Sequence, residues 1–93
     1  MRYAVQFTSK FKKNYKKMQK RGLKIEKLEE IVDKLRNGEK LALKHKDHIL
    51  KGEFNGYHEC HIEPDWLLIY KIQNDVLILT LVDTGSHSDL FNK

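Results

Sequence analysis

The chain has 93 residues, of which 33% are charged and 40% are hydrophobic, and its formal net charge is +5. This length predicts one domain over residues 1–93, and the single cysteine excludes an internal disulfide framework. Neither a signal-peptide core nor an apolar run of ~18 residues occurs, so we expect a cytoplasmic protein without a membrane segment.

The charge is distributed unevenly along the chain. Residues 1–46 carry 15 of the 18 Lys and Arg residues and 5 of the 13 acidic residues, whereas residues 47–93 have a net charge of −5. A strongly basic half is typical of chains that bind a polyanion or an acidic protein. The simpler alternative is a lysine face that serves solubility, and charge alone leaves the two about equally open.

The first predicted elements are a strand and a helix. Alternating side chains over residues 2–7 indicate a short strand. Thr8 and Ser9 offer an N-cap for a helix that runs to about residue 21, and Gly22 follows its end. Five lysines occupy the face of this helix that is not expected to be buried: Lys12, Lys13, Lys16, Lys17 and Lys20.

A second helix is predicted from about residue 24 to residue 37, where Gly38 closes it. The turn between the two helices is so short that they should pack as an antiparallel hairpin. The side chains expected to face the core are Phe11, Tyr15, Met18, Ile25, Leu28, Leu35 and either Ile31 or Val32.

After a polar connection at residues 39–50, the pattern predicts four strands. They are expected at about 52–56, 57–63, 66–72 and 76–82, with turns at Asn55-Gly56, Pro64-Asp65 and Asn74-Asp75. The last strand is apolar almost throughout, which favours a central strand covered on both faces. The predicted fold class is therefore α+β, β-α-α-β-β-β-β, with the helical hairpin packed on one face of a small, mainly antiparallel sheet.

Three histidines, His48, His61 and His87, are the candidate acid–base residues, because imidazole titrates nearest to neutral pH. Taken singly, each is more often a surface or hydrogen-bonding residue than a catalyst. Strand alternation places His61 on one face with Glu59 and Glu63, and Cys60 on the other. A zinc site has little support, because Cys60 and His61 point to opposite faces and no second cysteine completes a ligand set.

Several segments, in this order, resemble the RelE/ParE superfamily of bacterial toxins and, within it, the YafQ type. The segments are Lys46-Asp47-His48, Gly56-Tyr57, residues 61–66 (HIEPDW), residues 68–71 (LIYK) and residues 84–91 (TGSHSDLF). The resemblance covers nearly the whole chain. It implies a RelE-like fold and a ribosome-dependent endoribonuclease that needs no metal or other cofactor and cuts mRNA in the ribosomal A site. An acidic antitoxin would neutralise it.

The resemblance also implies an active site. The matching positions are His48, His61, Asp65, Trp66, His87 and Phe91. We expect His87 to be the principal acid–base residue, with base and orienting roles shared among the other two histidines and Asp65. Trp66 or Phe91 would stack on an RNA base. Lys46 and Lys51 are expected near the substrate. The residues expected to contact ribosomal RNA phosphates are Lys10, Lys12, Lys13, Lys16, Lys17, Lys20 and Arg21.

One position departs from the YafQ type, which usually carries Arg where this chain has Asp83. In the YafQ type, that arginine would be expected to stabilise charge on the phosphate. Losing such an electrostatic contact typically costs ~100- to 1,000-fold in rate. Three interpretations are open: a lysine (Lys46, Lys51 or Lys71) substitutes, protonated histidines supply the charge, or activity is weak. We expect activity to be retained but altered.

Two other classes of function stay open at this level. One is a non-enzymatic toxin that binds a protein target, as ParE-type relatives bind DNA gyrase. The histidine and aspartate set argues against it, because target binding alone does not require such a set. The other is a degenerate toxin that acts mainly as an antitoxin-binding co-repressor, which Asp83 would permit.

Overall fold

The computed structural model describes residues 2–52 and 56–91. Within them lie a five-stranded sheet, of strand order β1-β5-β4-β3-β2, and three α-helices. The strands are β1 (Ala4–Phe7), β2 (His48–Ile49), β3 (His58–Glu63), β4 (Trp66–Gln73) and β5 (Ile78–Gly85), and the helices are α1 (Ser9–Lys20), α2 (Ile25–Arg36) and α3 (His87–Phe91). β1 runs parallel to β5, and the other neighbours are antiparallel. The α+β class and the mainly antiparallel sheet are confirmed.

Local signals set the ends of the first two helices. The Thr8 hydroxyl accepts a hydrogen bond from the Phe11 N–H at 3.0 Å and so caps α1. Gly22 and Gly38 follow α1 and α2 with φ angles of 81° and 76°, a left-handed conformation that glycine adopts without strain. The predicted helix boundaries are therefore confirmed to within one residue.

The two long helices and the sheet share one apolar core. Trp66, Leu68 and Leu79 of the strands are each at most 1% exposed and belong to this cluster. The helices contribute Phe11, Met18, Leu28, Ile31 and Leu35, with Tyr15, Ile25 and Val32 partly buried at its margin. No helix in the described part of the chain is long and apolar enough to cross a membrane.

The strands depart from the prediction in two places. The connection predicted at residues 39–50 contains a short 3₁₀ turn, Leu43–His45, followed by β2. Of the strand expected at about 52–56, residues 53–55 lie outside the described residues, and so does Asn55 of the predicted turn. The expectation that β5 starts at Val76 is wrong, because Val76 is 54% exposed and Leu77 turns the chain with a φ of 53°. β5 continues to Gly85 because it stays paired with β4 as far as Leu67.

Candidate active site

The two faces of β3 divide core from site, as alternation predicts. Cys60 and Ile62 are buried in the apolar core, so Glu59 and His61 project from the opposite face. Burial also raises the pKa of the Cys60 thiol well above its usual range, so this cysteine is a packing residue. Glu63 does not join His61, because the register shifts between them and the Glu63 carboxylate pairs with Lys27 at 3.0 Å.

Strand pairing brings His61 and His87 together. His61 lies opposite Leu67 on β4, and Leu67 lies opposite Gly85 at the end of β5. His87 follows two residues later as the first residue of α3. The two imidazole rings consequently lie 5.6 Å apart, centre to centre, with an angle of 59° between their planes. One phosphate group could contact both rings.

Asp65, in the turn between β3 and β4, holds His87 through two hydrogen bonds. Its Oδ1 accepts from the His87 Nδ1 at 2.6 Å and from the His87 backbone N–H at 2.9 Å. The backbone bond first, and the side-chain bond second, lower the pKa of Asp65 below its ordinary value. Because a carboxylate only accepts hydrogen bonds, Nδ1 carries the hydrogen, and Nε2 is the nitrogen left for proton transfer.

Glu59 connects the other two histidines. Its Oε1 lies 3.5 Å from the His48 Nε2 and 3.7 Å from the His61 Nε2, and the residue is only 6% exposed. His48 donates through Nδ1 to the Lys46 carbonyl at 2.7 Å, and His61 donates to the Pro64 carbonyl at 3.3 Å. Glu59 was not predicted as a site residue. Alternation placed it beside His61, but no sequence signal placed His48 opposite it on β2.

The expectation that Trp66 stacks on an RNA base is wrong. Trp66 is 1% exposed, and its indole N–H donates to the Thr84 hydroxyl at 3.0 Å inside the core. Exposing the ring would open that core, so Trp66 is a packing residue that joins β4 to β5. Phe91, half-buried at the end of α3, keeps the stacking role as a prediction.

Asp83 does not present an unbalanced charge to the site. The residue is 4% exposed, and its Oδ1 accepts from the Asn14 amide at 2.6 Å and from the Thr84 N–H at 2.8 Å. The Lys10 ammonium lies 3.4 Å from its Oδ2. The carboxylate is thus bound by α1 and by the backbone of the following residue, Thr84.

The basic residues fall into three groups. The first lines one open surface of α1: Lys12, Lys13, Lys16, Lys17 and Lys20. The second, Lys10 and Arg21, forms ion pairs with Asp83 and Asp89. In the third, Lys46 lines a cleft together with His61 and His87. Lys51 is exposed, and no contact within residues 2–52 and 56–91 joins it to the three histidines.

Helix α3, which carries His87, was not predicted from the sequence. Ser86 and Asp89 form a capping box: the Ser86 hydroxyl accepts from the Asp89 N–H at 3.1 Å, and the Asp89 carboxylate accepts from the Ser86 N–H at 2.9 Å. The pattern Ser-x-x-Asp at residues 86–89 was the signal available for this helix. Two hydrogen bonds from Arg21 to Asp89, at 2.6 and 3.0 Å, attach α3 to α1.

No group of three or more His, Cys, Asp or Glu side chains in the described parts of the chain is arranged to hold a metal ion. The sites the structure assembles are instead a histidine–aspartate pair, His87 with Asp65, and a second imidazole, His61, facing it. Two imidazoles on either side of one open space can remove a proton at one atom and supply one at another.

Known proteins resemble this chain in sequence and in fold. The family described as "Bacterial toxin of type II toxin-antitoxin system, YafQ" matches residues 3–92. The mRNA interferase toxin YafQ of Escherichia coli K12 is 36% identical over 88 residues, which are 94% of each chain. In the crystal structure of the E. coli DinJ-YafQ toxin-antitoxin complex, the matched chain is 35% identical, with a TM-score of 0.89 over 98% of this chain and 99% of that one.

A metal-bound toxin from Helicobacter pylori is similar as well, at 41% identity and a TM-score of 0.90 over 98% of this chain and all of that one. These matches extend over the elements that carry the histidines as well as over the helical hairpin. The chain therefore belongs to the YafQ family of bacterial toxins of type II toxin–antitoxin systems.

Proposed function

We propose that this YafQ-family toxin is a metal-independent endoribonuclease that cleaves mRNA in the ribosomal A site by acid–base chemistry. The observation that carries the proposal is the His87–Asp65 pair facing the His61 ring at 5.6 Å. The names of the curated relatives, mRNA interferase toxins, support the same activity.

The chemistry requires two proton transfers at one phosphate. A base takes the proton of the 2′-hydroxyl, whose oxygen attacks the adjacent phosphorus. The bond from phosphorus to the 5′-oxygen breaks, and an acid protonates that oxygen, so a 2′,3′-cyclic phosphate and a 5′-hydroxyl result. The His87 Nε2 and the imidazole of His61 serve these two ends of the reaction.

The remaining site residues position the two imidazoles and the phosphate. Asp65 fixes the tautomer and the ring orientation of His87. Glu59 lies next to both His48 and His61 and holds them at one end of the site. The Asp47 side chain accepts a hydrogen bond from the Tyr70 hydroxyl, which anchors the segment that carries His48 to β4. Positive charge at the cleaved phosphate comes from the histidines, in place of the arginine absent at Asp83.

Two kinds of partner follow from the proposal. The lysine face of α1 would contact ribosomal RNA phosphates, since five ammonium groups lie along one open surface. An acidic antitoxin protein would bind the toxin and block it, as the E. coli DinJ-YafQ complex supports for a relative. Both encounters would take place in the cytoplasm.

The decisive experiment mixes the purified protein with ribosomes programmed on a defined mRNA and maps cuts by primer extension. We expect A-site cuts that His87→Ala reduces at least ~100-fold, because a general acid or base contributes that much to the rate. His58→Gln is the matched control, since His58 stacks on Tyr70 on the other face of β3. Inhibition of gyrase supercoiling without cuts would instead support a protein-binding toxin. The absence of both cuts and supercoiling inhibition would support a co-repressor.

A substrate with sulfur at the 5′-bridging position separates the acid from the base. Sulfur leaves without needing a proton, so loss of the acid should be rescued and loss of the base should not. We expect opposite outcomes for His61→Ala and His87→Ala on this substrate. Equal rescue of both variants would contradict a division of roles between them.

A further inference from the structure

A cleft adjoins the acid–base residues on the side of the 3₁₀ turn. It has a volume of about 570 Å³, and both His61 and His87 form part of its wall. Lys44 and Lys46 line it from the segment before β2, and Pro64 lines it from the β3–β4 turn. This volume falls within the usual range for sites that bind small molecules or single nucleotides, ~300–1,000 Å³.

The cleft is basic, and its charge is not neutralised by the protein. Lys27 on its rim is paired with Glu63 at 3.0 Å. Among residues 2–52 and 56–91, the ion pairs include neither Lys44 nor Lys46. Two ammonium groups without a carboxylate partner, beside the apolar surface of Pro64, suit a ligand that has both an anionic group and a flat ring.

The backbone of this wall is fixed relative to the histidines. The His45 Nδ1 donates to the His61 carbonyl at 2.7 Å, which attaches the 3₁₀ turn to β3. Lys46 adopts a left-handed conformation, with a φ of 47°, that residues other than glycine adopt rarely. In this conformation its carbonyl accepts the hydrogen bond from His48. Strained backbone of this kind is found preferentially at functional sites.

We propose that this cleft is a nucleotide subsite, which binds the ribonucleotide next to the cleaved bond. Lys44 and Lys46 contact its outer phosphate, and the wall at Pro64 and His45 supports its base. A strand whose cleaved phosphate lies between His61 and His87 has its neighbouring nucleotide at the cleft, because both histidines belong to the cleft wall. The inference rests on the proposed RNA cleavage and adds the position of the substrate strand.

The test measures single-turnover cleavage on ribosomes programmed with mRNAs that carry one neutral methylphosphonate, at the linkage either before or after the cleaved bond. For the wild-type toxin, we expect one of these replacements to slow cleavage about 10-fold or more, as loss of a charge-assisted hydrogen bond to phosphate would. The Lys44→Gln/Lys46→Gln variant should be slowed by a similar factor on unmodified mRNA. It should also be insensitive to that methylphosphonate, because both changes remove the same contact.

The matched control is Lys24→Gln/Lys40→Gln, which removes the same charge at two exposed positions outside the cleft. It should keep the wild-type sensitivity. Equal sensitivity of the cleft variant and the wild type, or a wild type insensitive at both linkages, overturns the subsite and leaves the proposed cleavage intact. A wild type that makes no cuts at all overturns the cleavage and the subsite together. Thermal unfolding is followed for each variant, and single substitutions replace the double variant if its stability falls.

Discussion

At the scale of single residues, the contact between His87 and Asp65 determines which nitrogen can exchange a proton with a substrate. The Nδ1 hydrogen is bound to the carboxylate at 2.6 Å, so only Nε2 can act on RNA. The same logic applies to His48 and His61, whose Nδ1 atoms donate to backbone carbonyls. All three histidines are therefore oriented through Nδ1, and the Nε2 atoms of His48 and His61 face the Glu59 carboxylate at 3.5 and 3.7 Å.

The titration of Asp65 tests this arrangement. Both His87 donors bind the charged carboxylate, so its pKa lies below the ordinary value of 3.8. Because that pKa is lowered on folding, the ionised Asp65 contributes to the free energy of unfolding. This contribution is present above the ordinary pKa of ~4 and is lost as the pH falls through the lowered pKa. Carbon-13 NMR of the Asp65 carboxyl should show a midpoint below 3.8.

His87→Ala removes the side-chain donor but keeps the backbone N–H, which is the larger cause of the shift. The midpoint of Asp65 should therefore move only part of the way back towards its ordinary value. A midpoint that is the same in the wild type and in His87→Ala would show that the imidazole does not bind Asp65 in solution.

Asp83 is expected to act on stability. Asp83→Ala should lower the free energy of unfolding by ~1–3 kcal/mol, because the partly buried Asn14 amide and the buried Thr84 N–H lose their acceptor. The Lys10 ammonium adds little to this, since its side chain is 69% exposed. Urea denaturation measures the loss, and Asp75→Ala, in an exposed turn, should change stability by less than ~0.5 kcal/mol. Equal effects of the two changes would contradict a structural role for Asp83.

At the scale of elements, α3 is a five-residue helix held by local and distant contacts together. Its capping box satisfies two backbone donors within residues 86–89. The Arg21 guanidinium first, and the Ser86 donors after it, hold the pKa of Asp89 far below its usual range. A helix this short is unstable alone, so its attachment to α1 and β5 fixes the position of His87.

Gly85, the last residue of β5, lies close to Asp89 of α3. A Cβ added there would lie 2.8 Å from the Cβ of Asp89, a distance that forces α3 to move. Because ~1 Å of misplacement of a catalytic group can cost ~100-fold in rate, Gly85→Ala should reduce mRNA cleavage about that much. It should also shift the backbone NMR signals of α3. The matched control is Ser88→Ala, at an exposed position of the same helix, which should leave both nearly unchanged.

At the scale of the whole molecule, the basic residues are partly engaged by the protein itself. Lys10 and Arg21 form ion pairs with Asp83 and Asp89, whereas the lysine face of α1, from Lys12 to Lys20, is open to solvent. We therefore expect this face to contribute most of the salt-dependent attraction to RNA.

Lys16→Gln/Lys20→Gln should weaken binding to ribosomes and lower the slope of log affinity against log salt by about 1 to 2, because each phosphate contact contributes ~0.7–0.9 to that slope. Lys24→Gln/Lys40→Gln removes the same charge at exposed positions elsewhere and should change the slope less. Sedimentation with ribosomes at several salt concentrations gives both slopes. Equal slopes for the two variants would assign the attraction to net charge rather than to the α1 face.

The candidate site could be predicted in part from particular residues. Alternation along β3 correctly separated Glu59 and His61 from Cys60, and the turn signals correctly placed Asp65 between two strands. Burial of Trp66 and the partner of Arg21 could not be predicted, because each depends on an element more than 15 residues away in sequence. Glu59 was not recognised as the residue between His48 and His61, because no local signal predicts the pairing of β2 with β3 that places His48 opposite it.

By itself, the sequence determined the features that are encoded locally: the α+β class, the two long helices, the turns at Pro64-Asp65 and Asn74-Asp75, and the basic half of the chain. Periodicity, caps and composition act over a few residues, so they can be read without a structure. Only the tertiary structure decided that β5 ends at Gly85 beside Leu67, that α3 docks on Arg21, and that Asp65, His61 and His87 meet. These features depend on strand register and on contacts between distant segments, which cooperative packing of the whole chain fixes.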